Sequence, residues 1–294
     1  MSVLDATAPG PVAGGPVAAA TAPARALSRR LPPASVLASL AVLAVVLLWS
    51  LVPGLVTGHD PAVGVPDDKF TAPGAEYWLG TDHLGRDLLT RIVHGSASSM
   101  TSALIAVAIG VLAGGLLGLL GGYLGGWVDA VIGRVVEVLL AIPGFLLAVV
   151  IVTALGYDTR NAAIATGVSA VAVFARLMRS EVLRVRTSVF IEAARLSGAS
   201  AGYVLLRHVL PNAVRPVLSL AVLQFGIAIL VIAGLAFLGY GDPPPASDWG
   251  LLVSDGREHL LHAPWLVIAP GLVIAVVVLS VSRLSSWLDL GRNR

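Results

Sequence analysis

Few side chains in this 294-residue sequence could do covalent chemistry, and their spacing argues against catalysis. Cysteine is absent, which removes thiol nucleophiles, disulfide frameworks and cysteine zinc sites together. The single lysine, Lys69, stands before Phe70 and outside any G-x-x-x-x-G-K-[ST] phosphate loop, so this chain has no loop of that kind for nucleotide hydrolysis. Neither H-E-x-x-H nor G-x-S-x-G occurs. The histidines His59, His83, His94, His208, His259 and His262 are scattered. His259 and His262 stand three residues apart without an evident further ligand, and a solvated loop accounts for them better than a metal. No catalytic residue and no metal site are expected.

The stretch richest in chemical content points to docking. Residues 188–198 read as a short amphipathic helix, with Ser188 as N-cap and Glu192 near the positive helix end. Phe190, Ala193, Ala194 and Ser197 fall at i, i+3, i+4 and i+7 and define one face. Gly198 is a C-terminal stop. A second helical piece, 203–209, is expected to end before Pro211, which cannot continue it. Two small helices at a turn make a rigid knob. Ala193 and Ala194 would let another protein approach closely, and Glu192 offers a charged contact. The candidate docking residues are Phe190, Glu192, Ala193, Ala194, Arg195, Gly198, Ala199, His208 and Pro211.

The elements that must position this knob lie in lipid. Hydrophobic types make up 56% of the chain and charged types 12%, against the roughly 25% charged residues of a soluble domain. Mean hydropathy is +0.88. Apolar runs at 36–56, 98–122, 135–155, 162–178, 217–238 and 264–284 are long enough, or nearly so, to cross about 30 Å of hydrocarbon as helices. No closed-barrel alternation occurs, which leaves helices as the spanning structure. A signal peptide is the alternative for the first run, but that run is long and Pro53-Gly54 begins a poor cleavage site. The expected organisation is a disordered cytoplasmic tail at 1–30 and a transmembrane domain at 31–294. Within the latter lie a first span at 36–56, an outer loop at 57–97, and a five-span core at 98–288 with a cytoplasmic loop at 179–216.

Net charge is +2, but the basic residues cluster at the ends of apolar runs, which argues for membrane orientation rather than nucleic-acid binding. With the N-terminus inside, only Lys69, Arg86, Arg91, Arg160 and Arg257 fall outside, and the other fourteen basic residues fall inside. Both termini are therefore expected to be cytoplasmic, in the cytoplasmic membrane, with an even number of spans. An ion-coupled transporter would carry ionisable groups at mid-membrane, and the span interiors hold none that is clear. Gln224 is the main polar side chain of the fifth span, facing either a lumen or a helix–helix hydrogen bond. A passive gated path suits such spans, and the knob argues against a mere channel or scaffold.

The knob carries a specific resemblance. Glu192-Ala193-Ala194, then Gly198, then nine residues, then His208-Val209-Leu210-Pro211 resembles the E-A-A-x3-G-x9-I-x-L-P loop of ATP-binding-cassette importer permeases. His208 stands where the general pattern has Ile, and with Asn212 this resembles the dipeptide/oligopeptide/nickel branch. Gly80-Thr81-Asp82, Gly85, Arg86 and Asp87 resemble that branch's G-T-D-x-x-G-R-D segment, and Asp82, Arg86 and Asp87 could pair to fix the outer loop. Arg134, Glu137 and the mid-span Pro143 echo a further segment, with Glu in place of the usual Asp. So do Pro243 to Pro245 and Ser247-Asp248-Trp249-Gly250. The resemblance implies an all-α membrane protein of six helices with the type I importer transmembrane fold. It implies a second homologous permease chain, two ATPase domains that carry ATP and Mg, an extracytoplasmic binding protein, and no cofactor on this chain. Peptides are the implied cargo, with nickel complexes or glutathione as alternatives.

Overall fold

The apolar runs become helices that alternate in direction between two ends of a bundle. The computed structural model describes residues 33–292, so the expected tail at 1–30 lies outside the described residues. α1 (Ala34–Leu51) is followed by a long excursion to residue 87. α2 (Leu88–Ile109) runs through a π-helical turn (Gly110–Gly114) into α3 (Gly115–Leu124). α4 (Gly126–Ala141) and α5 (Gly144–Leu155) meet at a 94° bend. α6 (Thr159–Arg186) leads to the small helices α7 (Val189–Leu196) and α8 (Ala201–Val204). A second π-helical turn (Leu205–Val209) joins α8 to α9 (Leu210–Phe237), and α10 (Trp249–Arg257) and α11 (Trp265–Arg292) complete the chain. Among the described residues five helical runs are long and apolar enough to cross a membrane, or six if the bent pair is one span.

Three expectations about these elements need correction. Residues 88–97 are helix rather than outer loop, because the Asp87 carboxylate accepts hydrogen bonds from the Leu89 and Thr90 amides and starts α2 early. The third apolar run is not one straight span: Pro143 lacks the amide a continuous helix needs, and the chain turns there. Pro211, by contrast, does not end a helix. The π-helical turn immediately before it reroutes the Leu210 amide to the Leu205 carbonyl, and the helix continues to Phe237.

α6 is the hub, packed against α2, α3, α4, α5 and α9. Lipid tails are as apolar as leucine, so close packing rather than hydrophobic sorting holds such helices together. Gly110, Gly114, Gly118 and Gly122 lie four residues apart and turn one bare edge of α2–α3 to α6. A Cβ on Gly114 would stand 2.4 Å from the Val171 carbonyl oxygen, and one on Gly118 would stand 2.4 Å from that of Ala175. On the other side of the bundle, α11 lies against α1 and α9, and the Arg283 Nε donates to Ser35 Oγ at 3.0 Å.

Candidate functional site

The knob lies at the end of the bundle where α6 stops and α9 begins. α7 starts after Ser188, which has the extended backbone of an N-cap. Its hydroxyl, however, donates to the Val185 carbonyl at 2.5 Å instead of accepting from the helix. The C-terminus closes as the sequence implies. Gly198 has φ +83°, its amide donates to the Arg195 carbonyl, and the Ala199 amide donates to the Ala194 carbonyl. This is the paired closure that left-handed glycine allows at a helix end.

Burial divides the expected face of α7. Ile191 is fully buried and Ala194 and Ala199 pack against the same core as Val204 and Val209. Phe190, Ala193, Glu192, Arg195 and Ser197 are exposed. Of the four residues expected on one face, Ala194 therefore turns inward and the other three outward. Val189 and Leu196 are 81% and 84% exposed, and Tyr203 and Leu206 are also open. Apolar side chains this exposed, next to Glu192 and Arg195, mark a contact surface. His208 is half-buried. Its ring lies 5.6 Å from that of Tyr203 and 6.5 Å from that of Phe190, both edge-on, so it joins the two helical pieces. Pro211 is exposed, and the Asn212 amide donates to the His208 carbonyl at 2.7 Å.

The knob is tied to the bundle by groups that the sequence alone did not single out. Tyr123 Oη donates to the Ala201 carbonyl at 2.6 Å. Arg186 Nη1 donates to the Gly122 and Tyr123 carbonyls at 3.2 and 3.0 Å, at the end of α3. Arg179 grips Asp129 with two hydrogen bonds, locking α6 to the start of α4. Arg186 stands in the last turn of α6 and Arg179 two turns before it, and their partners lie 50 or more residues away in the chain.

At the opposite end, the Gly80 to Asp87 segment builds a buried ion network. Asp82 Oδ1 accepts from the Leu84 and Arg86 amides at 2.8 and 3.0 Å, and its Oδ2 accepts from Arg86 Nε at 2.7 Å and Arg91 Nη1 at 3.0 Å. Burial opposes its charged form, yet the two amides and the Arg86 guanidinium outweigh it and hold its pKa below the ordinary carboxylate value. Arg91 extends the network: its Nη2 donates to the Ala246 carbonyl at 3.0 Å and stands 3.6 Å from Asp255 Oδ2 on α10. Asp87 does not join Arg86 in this network; it caps α2 instead. Gly80 and Gly85 have φ +77° and +76°, and a Cβ on Gly85 would stand 1.9 Å from the Val65 carbonyl oxygen. Thr81 is buried, and its carbonyl accepts from Trp265 Nε1 at 3.2 Å. Asp248 is buried too, takes hydrogen bonds from Ser99 Oγ and the Gly250 amide, and has its pKa raised by that burial. His259 lies against the His83 ring at 5.4 Å and Phe70 at 4.9 Å. Arg134 and Glu137 are exposed and 3.4 Å apart.

Pro143 is exposed at the α4–α5 break, and Gln224 is half-buried on the wall of a cavity beside it. The sequence reading missed Arg91, Arg186, Tyr123 and the glycine edge. Only the last had a legible signal, its four-residue spacing. Among the described residues of these two sites no nucleophile stands against an acid–base partner in a catalytic arrangement. The molecule offers a docking knob, a locked opposite end, and a bundle between them.

The comparisons with known proteins agree with this arrangement. Residues 110–294 match the model of the family described as binding-protein-dependent transport system inner membrane component. The dipeptide transport system permease protein of Alkalihalophilus pseudofirmus is 38% identical over 234 residues, which cover 80% of this chain and 77% of that one. The glutathione transport system permease protein of Shigella flexneri is 39% identical over 222 residues, covering 76% and 73%. A crystal structure of an amino acid ABC transporter superposes with a TM-score of 0.54 at 18% identity, covering 68% of this chain and 94% of that one, and shows the shared type I importer transmembrane fold. The chain is thus a multi-pass, non-catalytic subunit of the cytoplasmic membrane, and it belongs to the peptide/nickel family of ATP-binding-cassette importer permeases.

Proposed function

We propose that this chain is one permease of a peptide importer, driven by ATPase subunits that grip the knob from the cytoplasm. The observation that carries this reading is the exposed apolar surface of Val189, Phe190, Leu196, Tyr203 and Leu206, held on a buried base. That surface lies at the end of the bundle where Arg176, Arg179, Arg184, Arg186, Arg195, Arg207 and Arg215 gather, which supports a cytoplasmic placement. Ser285 near the end of α11 donates to the Ser219 carbonyl in the first third of α9, and Arg283 donates to Ser35 at the start of α1, in keeping with cytoplasmic termini. The ion network at the other end then faces an extracytoplasmic binding protein.

A second homologous permease completes the pathway, and two ATPase domains carry ATP and Mg. ATP biases the inward-to-outward equilibrium only as far as it favours one arrangement of the ATPases. The knob is where that bias enters this chain. From Ala201 it reaches α3 through Tyr123, and from the end of α6 it reaches the same turn through Arg186.

The test is reconstitution of the permease pair with its ATPases and binding protein. Glu192→Lys and Gly198→Pro are expected to detach the ATPases or uncouple uptake while insertion persists. Normal ATPase association and normal uptake in both variants would refute docking at the knob. Stimulation of ATP hydrolysis by dipeptides or oligopeptides supports the cargo assignment. Stimulation by a nickel complex or glutathione, and by no other peptide, overturns it.

A further inference from the structure

A cavity of about 320 Å³ opens between α2, α5, α6 and α9, apart from both the knob and the ion network. Ala106 and Gln224 on its walls lie at the midpoints of the helical runs Leu88–Leu124 and Leu210–Phe237, which places the cavity at mid-depth of the bundle. Gly144, also on the wall, directly follows the break at Pro143. None of the lining side chains is ionisable. The polar ones are Thr166, Ser169 and Gln224. Thr166 and Ser169 donate their hydroxyl hydrogens to carbonyls of their own helix, at 2.8 and 2.7 Å, and keep only acceptor capacity. Gln224 makes no side-chain hydrogen bond among the described residues.

Two physical arguments favour polar contents here. Irregular backbone at membrane depth is tolerated only inside protein or against a water-filled cavity. An unpartnered carboxamide in an apolar bundle costs free energy until something hydrogen-bonds it. This chain's share of the wall offers no countercharge, so its contacts suit an uncharged group such as a main-chain amide rather than an ion.

We propose that this cavity is a transit subsite for the main chain of the peptide cargo, recognised by the Gln224 carboxamide. This rests on the peptide-importer reading above. A carboxamide offers both N–H donors and a carbonyl acceptor, the complement of a peptide unit with its one N–H and one C=O. Such a contact is blind to cargo side chains, as a path for varied peptides needs. The volume sits at the lower end of the roughly 300–1,000 Å³ found for ligand pockets, so the subsite engages one or two small residues at a time.

The experiment uses the complete complex in liposomes and measures uptake of trialanine and of its depsipeptide analogue, in which an ester replaces one amide. Gln224→Leu is expected to lower trialanine uptake about tenfold, with assembly and peptide-independent ATP hydrolysis unchanged. The ester, already lacking one N–H, is expected to lose less. Val173→Phe, which fills the cavity from α6, is expected to lower uptake of both. Full trialanine uptake in either variant overturns the subsite, and so does an equal loss for peptide and ester in Gln224→Leu. A wild-type complex that moves neither compound defeats the peptide-importer reading, and the subsite with it; one that moves trialanine leaves the variants to decide the subsite alone.

Discussion

Asp82→Ala is the most informative single perturbation of the folded bundle. Asp82 pairs with Arg86 at 2.7 Å and Arg91 at 3.0 Å, and the arginine side chains are 2% and 1% exposed. Removing the carboxylate leaves two buried guanidinium groups side by side, with Asp255, 3.6 Å from Arg91, and the Ala246 carbonyl, 3.0 Å from it, left to compensate. Breaking a buried pair in this way costs about 3–5 kcal/mol. For a domain of this size each kcal/mol moves Tm by about 2–4 °C, so the variant should melt about 10 °C lower in mild detergent. Thermal unfolding followed by circular dichroism measures it. The pH dependence gives a second reading. Because the folded pKa of Asp82 is depressed, its stabilisation is present above the unfolded value near 3.9 and is lost as pH falls through the folded value. Wild type should therefore lose stability in acid more steeply than the variant. An Asp82→Ala protein that melts within about 2 °C of wild type, well short of the shift that a broken buried pair implies, would refute the claim that this network locks the end of the bundle.

Other substitutions test other joints. Gly85→Ala places a Cβ 1.9 Å from the Val65 carbonyl at φ +76°, and should lower Tm by several degrees through a backbone shift on top of about 1–2 kcal/mol of left-handed strain. Gly118→Val drives α3 away from Ala175 on α6 and should abolish a monodisperse peak in size-exclusion chromatography, whereas Gly133→Val, on α4 with open space around it, should not. Tyr123→Phe removes one hydrogen bond to Ala201, worth about 1 kcal/mol. It should leave ATPase association intact but reduce the peptide moved per ATP hydrolysed, as compared in paired uptake and phosphate-release assays.

The sequence carried the local features because each is set by neighbours along the chain. Apolar run length fixed where helices could cross lipid. Gly198 closed α7 because only glycine takes φ +83° without strain. The absence of cysteine and of a phosphate loop excluded whole classes of chemistry without any structure. What tertiary structure decided was every partnership across the chain. Arg91 reads as an ordinary basic residue at a helix start, yet it joins Asp82 to a carbonyl 155 residues away. Helical periodicity placed Ala194 with Phe190 and Ala193, but the body of the bundle turned it inward beside Ile191. Pro143 and Pro211 are the same residue type; one bends the chain by 94°, and the other is absorbed by a π-helical turn. A proline removes one amide in either case. At Pro211 the π-helical turn hands the Leu210 amide to the Leu205 carbonyl and the Asn212 side chain donates to the His208 carbonyl, so the helix runs on; at Pro143 no such turn precedes the proline and the chain bends.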